Sequence, residues 1–255
     1  MVVRYLLATL VAGLFVGVVM TPVQYAGVIP LILHAEVYEQ GGDAGPPEHA
    51  AGLVAPAEAA ERAAPQGVRP IPVHATAAAP ANDEARANAN LFASRLIGTL
   101  SANIVTGCGF ALMLAAVALL AGRRITFANG AFWGLAGFAC VALAPALGLP
   151  PELPAMPVAD LTARQIWWVA TALLTAAGLY GLVLRQETVA KIAGIALLFA
   201  PHLVAVPRPA DLSSPIPPTL AAEFAVASLA TGAVFWVLLG LALGALMDRF
   251  GSELT

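Results

Sequence analysis

The sequence predicts an all-α, polytopic membrane protein of about six transmembrane helices, with a long and largely disordered first extracytoplasmic loop. Three observations carry that expectation. Six apolar runs are spaced along the 255 residues: Tyr5–Leu33, Leu96–Ala121, Phe127–Leu149, Ile166–Leu184, Thr188–Val206 and Leu220–Met247. The chain is 60% hydrophobic and 11% charged with mean hydropathy +0.83, against about 25% charged in an average soluble domain. Between the first two runs lies one long stretch rich in Ala, Pro and Gly.

A membrane-spanning helix needs about 20 apolar residues at about 1.5 Å rise per residue. Five runs meet that requirement comfortably, and Thr188–Val206 only just. Residues 1–33 read as an uncleaved first transmembrane helix: Arg4 precedes the run as in a signal peptide, but the run exceeds the usual h-region and no A-x-A site closes it. Residues 34–95 read as the loop. It is almost without aromatics after Tyr38, so it cannot bury enough apolar surface to offset its ordering entropy. Asn82-Asp83-Glu84 has the look of a helix start, with acids in the first turn, so the second helix is expected to begin before the membrane. Residues 96–255 supply helices two to six, one membrane domain together with the first. Asp160 or Thr162 is expected to cap the fourth and Thr219 the sixth. Trp167 and Trp168 suit an aromatic belt at one interface and Tyr5 at the other.

Orientation follows from the basic residues, which stay on the cytoplasmic side of short loops. With the N-terminus inside, the inner segments hold Arg4, Arg123, Arg124, Arg185, Lys191 and Arg249, and the short outer ones only Arg164 and Arg208. Both termini are therefore expected in the cytoplasm. Most acids and all four histidines then fall outside, an arrangement that would concentrate cations there. Solvation of polar residues in the largest loop accounts for it equally well.

Packing explains much of the rest. Gly13 and Gly17, Gly130 and Gly134, and Gly240 and Gly244 each form a small-xxx-small face of the kind that lets membrane helices approach closely. Cys108 and Cys140 have no CxxC or zinc-like spacing and read as core residues. A net charge of −3 gives no reason to expect a nucleic-acid partner.

Six polar residues are candidates for chemistry. His34, Glu36 and Glu39 close the first run, and imidazole with carboxylate is a reasonable ligand set for a divalent first-row metal. On a helix Glu36 and Glu39 share a face; the alternative is a polar interfacial collar. His202 follows the helix-bending Pro201 and is either a ligand or an interfacial histidine facing water or headgroups. Glu223 lies about one turn into the last run, where the helix dipole alone could explain it. Glu152, in Pro150-Pro151-Glu152-Leu153-Pro154, has no such local reason. The topology puts all of these at one surface, although helix arrangement decides whether they converge. Asn103, Thr106 and Gln24 lie inside the spans, where they either line a path or bond neighbouring helices. The sequence contains no GxxxxGK[ST] loop, no HExxH and no GxSxG, so no enzyme is expected, and no permanently bound cofactor.

Several segments resemble a known family. They are Thr21-Pro22 with Ile29–Glu39, Asn103–Leu112, Trp133–Phe138 continuing through Ala144–Pro154, Arg164–Trp168, and Pro201-His202-Leu203. Together they are similar to CbtA-type cobalt transporter subunits, over all the helices but not the long loop. The resemblance implies a bacterial inner-membrane protein that admits Co²⁺ for cobalamin synthesis. It also implies a small histidine-bearing one-helix partner of the CbtB kind. Family members often carry a histidine-rich first loop, whereas this one has only His49 and His74. His34, Glu36, Glu152 and His202 lie inside the matching motifs, and Glu39 and Glu223 join them as candidate metal ligands. The rival expectation is a non-transporting membrane scaffold or assembly subunit.

Overall fold

A computed structural model of the protein describes residues 2–40 and 81–251. Among them are eight α-helices and no strand. The expected disorder of the long loop, with His49 and His74, falls outside the described residues. Both flanks of that stretch, residues 34–40 and 81–95, are helical.

The first apolar run is two helices, α1 (Val2–Gly27) and α2 (Ile29–Gln40), rather than one ending at Leu33. Pro30 has no N–H for the carbonyl four residues back and Gly27 is a weak helix former, so the chain breaks at Val28. Helix α3 (Ala81–Leu120) is 40 residues, about 60 Å, roughly twice the hydrocarbon thickness. It does begin before its apolar part, as Asn82-Asp83-Glu84 suggested. It ends on Gly122 at φ +63°, with the Arg123 N–H donating to the Ala118 carbonyl at 2.9 Å. Glycine takes that left-handed position without a Cβ penalty.

Helix α4 (Phe127–Phe138) runs on through a π-helical segment (Ala139–Leu143) into the short α5 (Ala144–Ala146). Pro145 accounts for the widening, because its ring clashes with the carbonyl four residues back. Helix α6 (Leu161–Leu179) is capped by Asp160, which accepts from the Ala163 N–H at 2.8 Å. A second π-helical segment (Tyr180–Leu184) ends it. Helix α7 (Thr188–Phe199) finishes in a 3-10 turn (Ala200–Leu203). Helix α8 (Pro218–Gly251) opens on Pro218, so Thr219 lies inside its first turn instead of capping it.

Five helical stretches among the described residues are long and apolar enough to cross a membrane: Val3–Gly27, Asn90–Leu120, Phe127–Ala146, Leu161–Leu184 and Pro218–Phe250. The sixth, Thr188–Leu203, is shorter, about 24 Å. Large apolar side chains such as Leu7, Phe15, Phe132, Ile166 and Val226 stand exposed on these helices, as a lipid-facing surface requires.

The helices form two groups. Helix α1 packs on α3 and α8, and α4 on α8. The glycine faces make these contacts. A Cβ on Gly13 would lie 2.5 Å from the Cys108 backbone, one on Gly17 2.6 Å from the Asn103 carbonyl, and one on Gly240 2.8 Å from the Gly134 nitrogen. Two buried clusters fill this bundle, around Leu114 and Leu243 at the Arg123–Arg124 end and around Met20, Trp236 and Leu239 further along. Helices α6 and α7 form a separate hairpin, with Gly178 and Gly194 backbone to backbone. The hairpin meets the rest mainly through the π-helical segment 139–143 and α5.

Candidate functional site

The end opposite Arg123–Arg124 carries the candidate residues, and an apolar plug organises it. Ala35 of α2, Leu153 of the α5–α6 connection, and Ile216, Leu220 and Phe224 at the start of α8 are buried together. Each plug element is chained to a polar neighbour. Ala35 stands between His34 and Glu36, Leu153 follows Glu152, and Phe224 follows Glu223. The juxtaposition of these chain segments at one surface, expected from the topology, is what the fold gives. The polar side chains stand around the plug and do not form a cage. Among the described residues no group of three or more His, Cys, Asp or Glu side chains could hold a metal ion.

Glu36 accepts a bidentate fork from Arg95 of α3, Nη1 to Oε1 at 3.1 Å and Nη2 to Oε2 at 2.9 Å. Arg95 is half-exposed, so water screens the pair and it contributes little to stability. Its geometric effect is larger, because both oxygens of Glu36 are occupied. Glu39, one turn on, is exposed. The exposed His34 ring lies 5.8 Å from that of Tyr38, its i+4 neighbour on α2.

Glu152 accepts from Arg164 Nη2 at 2.6 Å, with both side chains about three-quarters buried. Arg164 sits in the first turn of α6, and this partner is the reason Glu152 lacked locally. The connection is held tightly: Ala155 takes φ +63°, a conformation non-glycine residues rarely adopt, and the Leu153 N–H donates to Met156 Sδ at 3.3 Å. Three residues beyond Arg164, the Trp167 ring stands edge-on to His202 at 6.2 Å. Trp167 is therefore not a belt residue. It is 7% exposed, while Trp168, about 100° round the helix, faces outward. Glu223 is exposed and lines a shallow groove with Leu31, Ala222, Val226 and Ala227. The six candidates thus divide into His34, Glu36 and Glu39 on α2, Glu152 and His202 around the head of α6, and Glu223 on α8.

Polar residues inside the spans fall into two kinds. Asn103 Nδ2 donates to Thr21 Oγ1 at 3.1 Å and to Gln24 Oε1 at 3.0 Å, so these residues bond α1 to α3. Trp167 Nε1, Thr171 Oγ1 and Thr175 Oγ1 are buried on α6 without a hydrogen-bond partner. Sequence reasoning missed this row, although its spacing of four could have shown a shared helix face. It missed the Arg95 and Arg164 pairings because partners 59 and 12 residues away leave no local signal.

At the opposite end, Asp248 Oδ2 of α8 accepts from the Phe127 N–H at 2.8 Å and Asn129 Oδ1 from the Thr126 N–H at 2.8 Å. A carboxylate at a helix N-terminus compensates its dipole, and here it locks α4 to α8.

A family model described as probable cobalt transporter subunit (CbtA) matches residues 2–248. The chain belongs to the CbtA family. Among curated proteins and among solved structures nothing matches it. The family match bears out the motif resemblance, and it runs across the connection that the motifs left out. The CbtA description makes the chain a subunit and therefore one part of an assembly. In that light the five long apolar helices are those of a membrane transport subunit.

Proposed function

We propose that this chain is the membrane-spanning subunit through which Co²⁺ enters the cytoplasm for cobalamin synthesis. It lies in the bacterial inner membrane with both termini cytoplasmic, and a small histidine-bearing one-helix subunit of the CbtB kind accompanies it. The observation that carries the reading is the CbtA match over residues 2–248 of a chain in which His34, Glu36, Glu152 and Glu223 directly adjoin residues of one buried plug. The basic residues of the opposite end, Arg123 and Arg124, support the orientation.

Metal enters from the extracytoplasmic side. His34, Glu36, Glu39, His202 and Glu223 replace part of its hydration shell, and Glu152 assists at the mouth. Glu36 and Glu152 are neutralised by Arg95 and Arg164, so the ion must displace a guanidinium to use either carboxylate. Imidazole and carboxylate alone favour copper over cobalt, so selectivity falls to geometry and to the partner. The membrane potential favours entry, since a divalent cation gains about 4.6 kcal/mol per 100 mV on moving inward.

Uptake of ⁵⁷Co²⁺ by cells with and without the chain, and with His34→Ala and His202→Ala, tests this. Accumulation that depends on the chain and falls in both variants is expected. The two Arg-occupied carboxylates favour a second reading, a scaffold or assembly subunit that moves no metal itself. Accumulation unchanged in both variants would select it.

A further inference from the structure

Threonine hydroxyls inside membrane helices ordinarily bond back to the carbonyl four residues earlier. Two in this chain do so: Thr9 Oγ1 donates to the Tyr5 carbonyl at 2.8 Å, and Thr21 Oγ1 to the Gly17 carbonyl at 3.1 Å. Thr171 and Thr175 do not, although Thr171 is 0% and Thr175 4% exposed. With Trp167 Nε1 they make three unpartnered polar atoms at four-residue spacing on the buried face of α6. A buried polar group without a partner loses its hydration and gains nothing in return, and a row of them needs a reason.

The surroundings supply a second, independent observation. Helix α6 packs against α7, the 200–203 turn, α5 and the π-helical segment 139–143. That segment has a backbone defect of its own. The Ala144 N–H goes to the Ala139 carbonyl, and Pro145 has no N–H, so the Cys140 carbonyl lacks both the donor of an α-turn and that of a π-turn. Irregular backbone at membrane depth is tolerated where it is buried in protein or lines a hydrated cavity. The head of the row joins the entrance, with Trp167 beside His202 and one turn from Arg164 and Glu152.

We propose that Thr171 and Thr175 line the route by which the transported divalent cation crosses the membrane, in the seam between the α6–α7 hairpin and the Pro145-broken helix. The inference rests on the transport reading above. The seam is closed in this conformation. When it opens, the two hydroxyl oxygens replace waters of the cation's shell, and Trp167 Nε1–H, a donor only, bonds a water the ion keeps. The unpartnered state is the resting form of a site whose partner is in transit.

Thr171→Val with Thr175→Val keeps shape and removes both hydroxyls, while the double serine variant keeps them. Cells expressing the full chain as the double valine variant are expected to lose about tenfold or more of ⁵⁷Co²⁺ uptake at undiminished thermal stability in detergent, with serine restoring uptake. In a Cys108→Ser, Cys140→Ser background, Thr175→Cys is expected to react in membranes with a cationic methanethiosulfonate, and Co²⁺ to slow that reaction. Wild-type uptake in the double valine variant, or an inert Thr175→Cys, overturns the proposal. A reactive, Co²⁺-protected Thr175→Cys beside a wild-type chain that accumulates no metal would sink the import reading and leave the hydrated seam standing.

Discussion

The α1–α3–α4–α8 bundle and the α6–α7 hairpin are built from the same apolar residue types and handle polar groups oppositely. In the bundle Thr9 and Thr21 bond back to their own helix and Asn103 bonds across to Thr21 and Gln24. Asp248 satisfies the end of a neighbouring helix, and Tyr25 Oη is the bundle's one buried side-chain atom without a partner among the described residues. In the hairpin three such atoms stand in line on one helix. A region selected for stability alone does not keep such a row, because valine fills the space of threonine without the desolvation cost. On the proposed route, the difference separates a part that holds the protein together from a part that has to open.

The contrast can be attacked first at its strongest point. Gly240→Leu places a branched side chain against the Gly130 and Gly134 backbone, which belongs to the facing helix and has nowhere to go. Overpacking of this kind costs about 1–3 kcal/mol even where side chains can yield, so little folded protein is expected. Gly109→Leu, whose Cβ would point into open space on α3, should leave yield and detergent melting temperature unchanged. Equal yields for the two would show that the bundle is not held by its glycines.

Thr171→Val and Thr9→Val should move stability in opposite directions. The first removes an unpartnered hydroxyl and is expected to raise stability by about 1 kcal/mol, and the second removes a made hydrogen bond and is expected to lower it by about as much. Thermal unfolding in one detergent reads both, and two shifts of the same sign would erase the distinction between the regions. Asn103→Ala strips two bonds between α1 and α3 and should cost about 0.6–2 kcal/mol, the range for interhelical hydrogen bonds in membranes. A smaller loss would show that Thr21 and Gln24 find other partners.

How much of this could be read beforehand depends on the range of each interaction. The apolar runs, the glycine faces and the Asp160 cap are local patterns, and five of the six runs contain a helix long enough to cross a membrane. The break at Val28 was also encoded locally, by Gly27 and Pro30, but the run around it is apolar throughout and hydropathy passes over it. The carboxylates could be found as residues but not as a site. Whether Glu152 faces a metal or Arg164 depends on how a 147–160 connection folds back on α6, and no spacing encodes that. Trp167 was misplaced because two adjacent tryptophans look equivalent in sequence and lie on different faces of a helix.

The smallest effects lie at the two ends, and they distinguish a working ion pair from a solvated one. Arg164→Ala frees the largely buried Glu152, so half-saturation of Co²⁺ uptake should fall about threefold, the scale of one partly screened charge pair. At the other end Arg185 and Glu187 form an exposed fork at 2.9 and 3.1 Å. The Glu187 carboxyl is held below its ordinary range by its own backbone N–H and then by Arg185. A carboxyl whose pKa is lower folded than unfolded stabilises the fold above the unfolded value, and that contribution disappears as pH falls through the folded one. Both values lie in the acid range and the pair stands in solvent, so Glu187→Gln should change neither uptake nor melting temperature at pH 7. If Glu187→Gln proves as costly to uptake as Glu152→Gln, the distinction between the proposed metal entrance and a merely solvated end is lost, because a fork that water already screens would then matter as much as the largely buried Glu152–Arg164 pair.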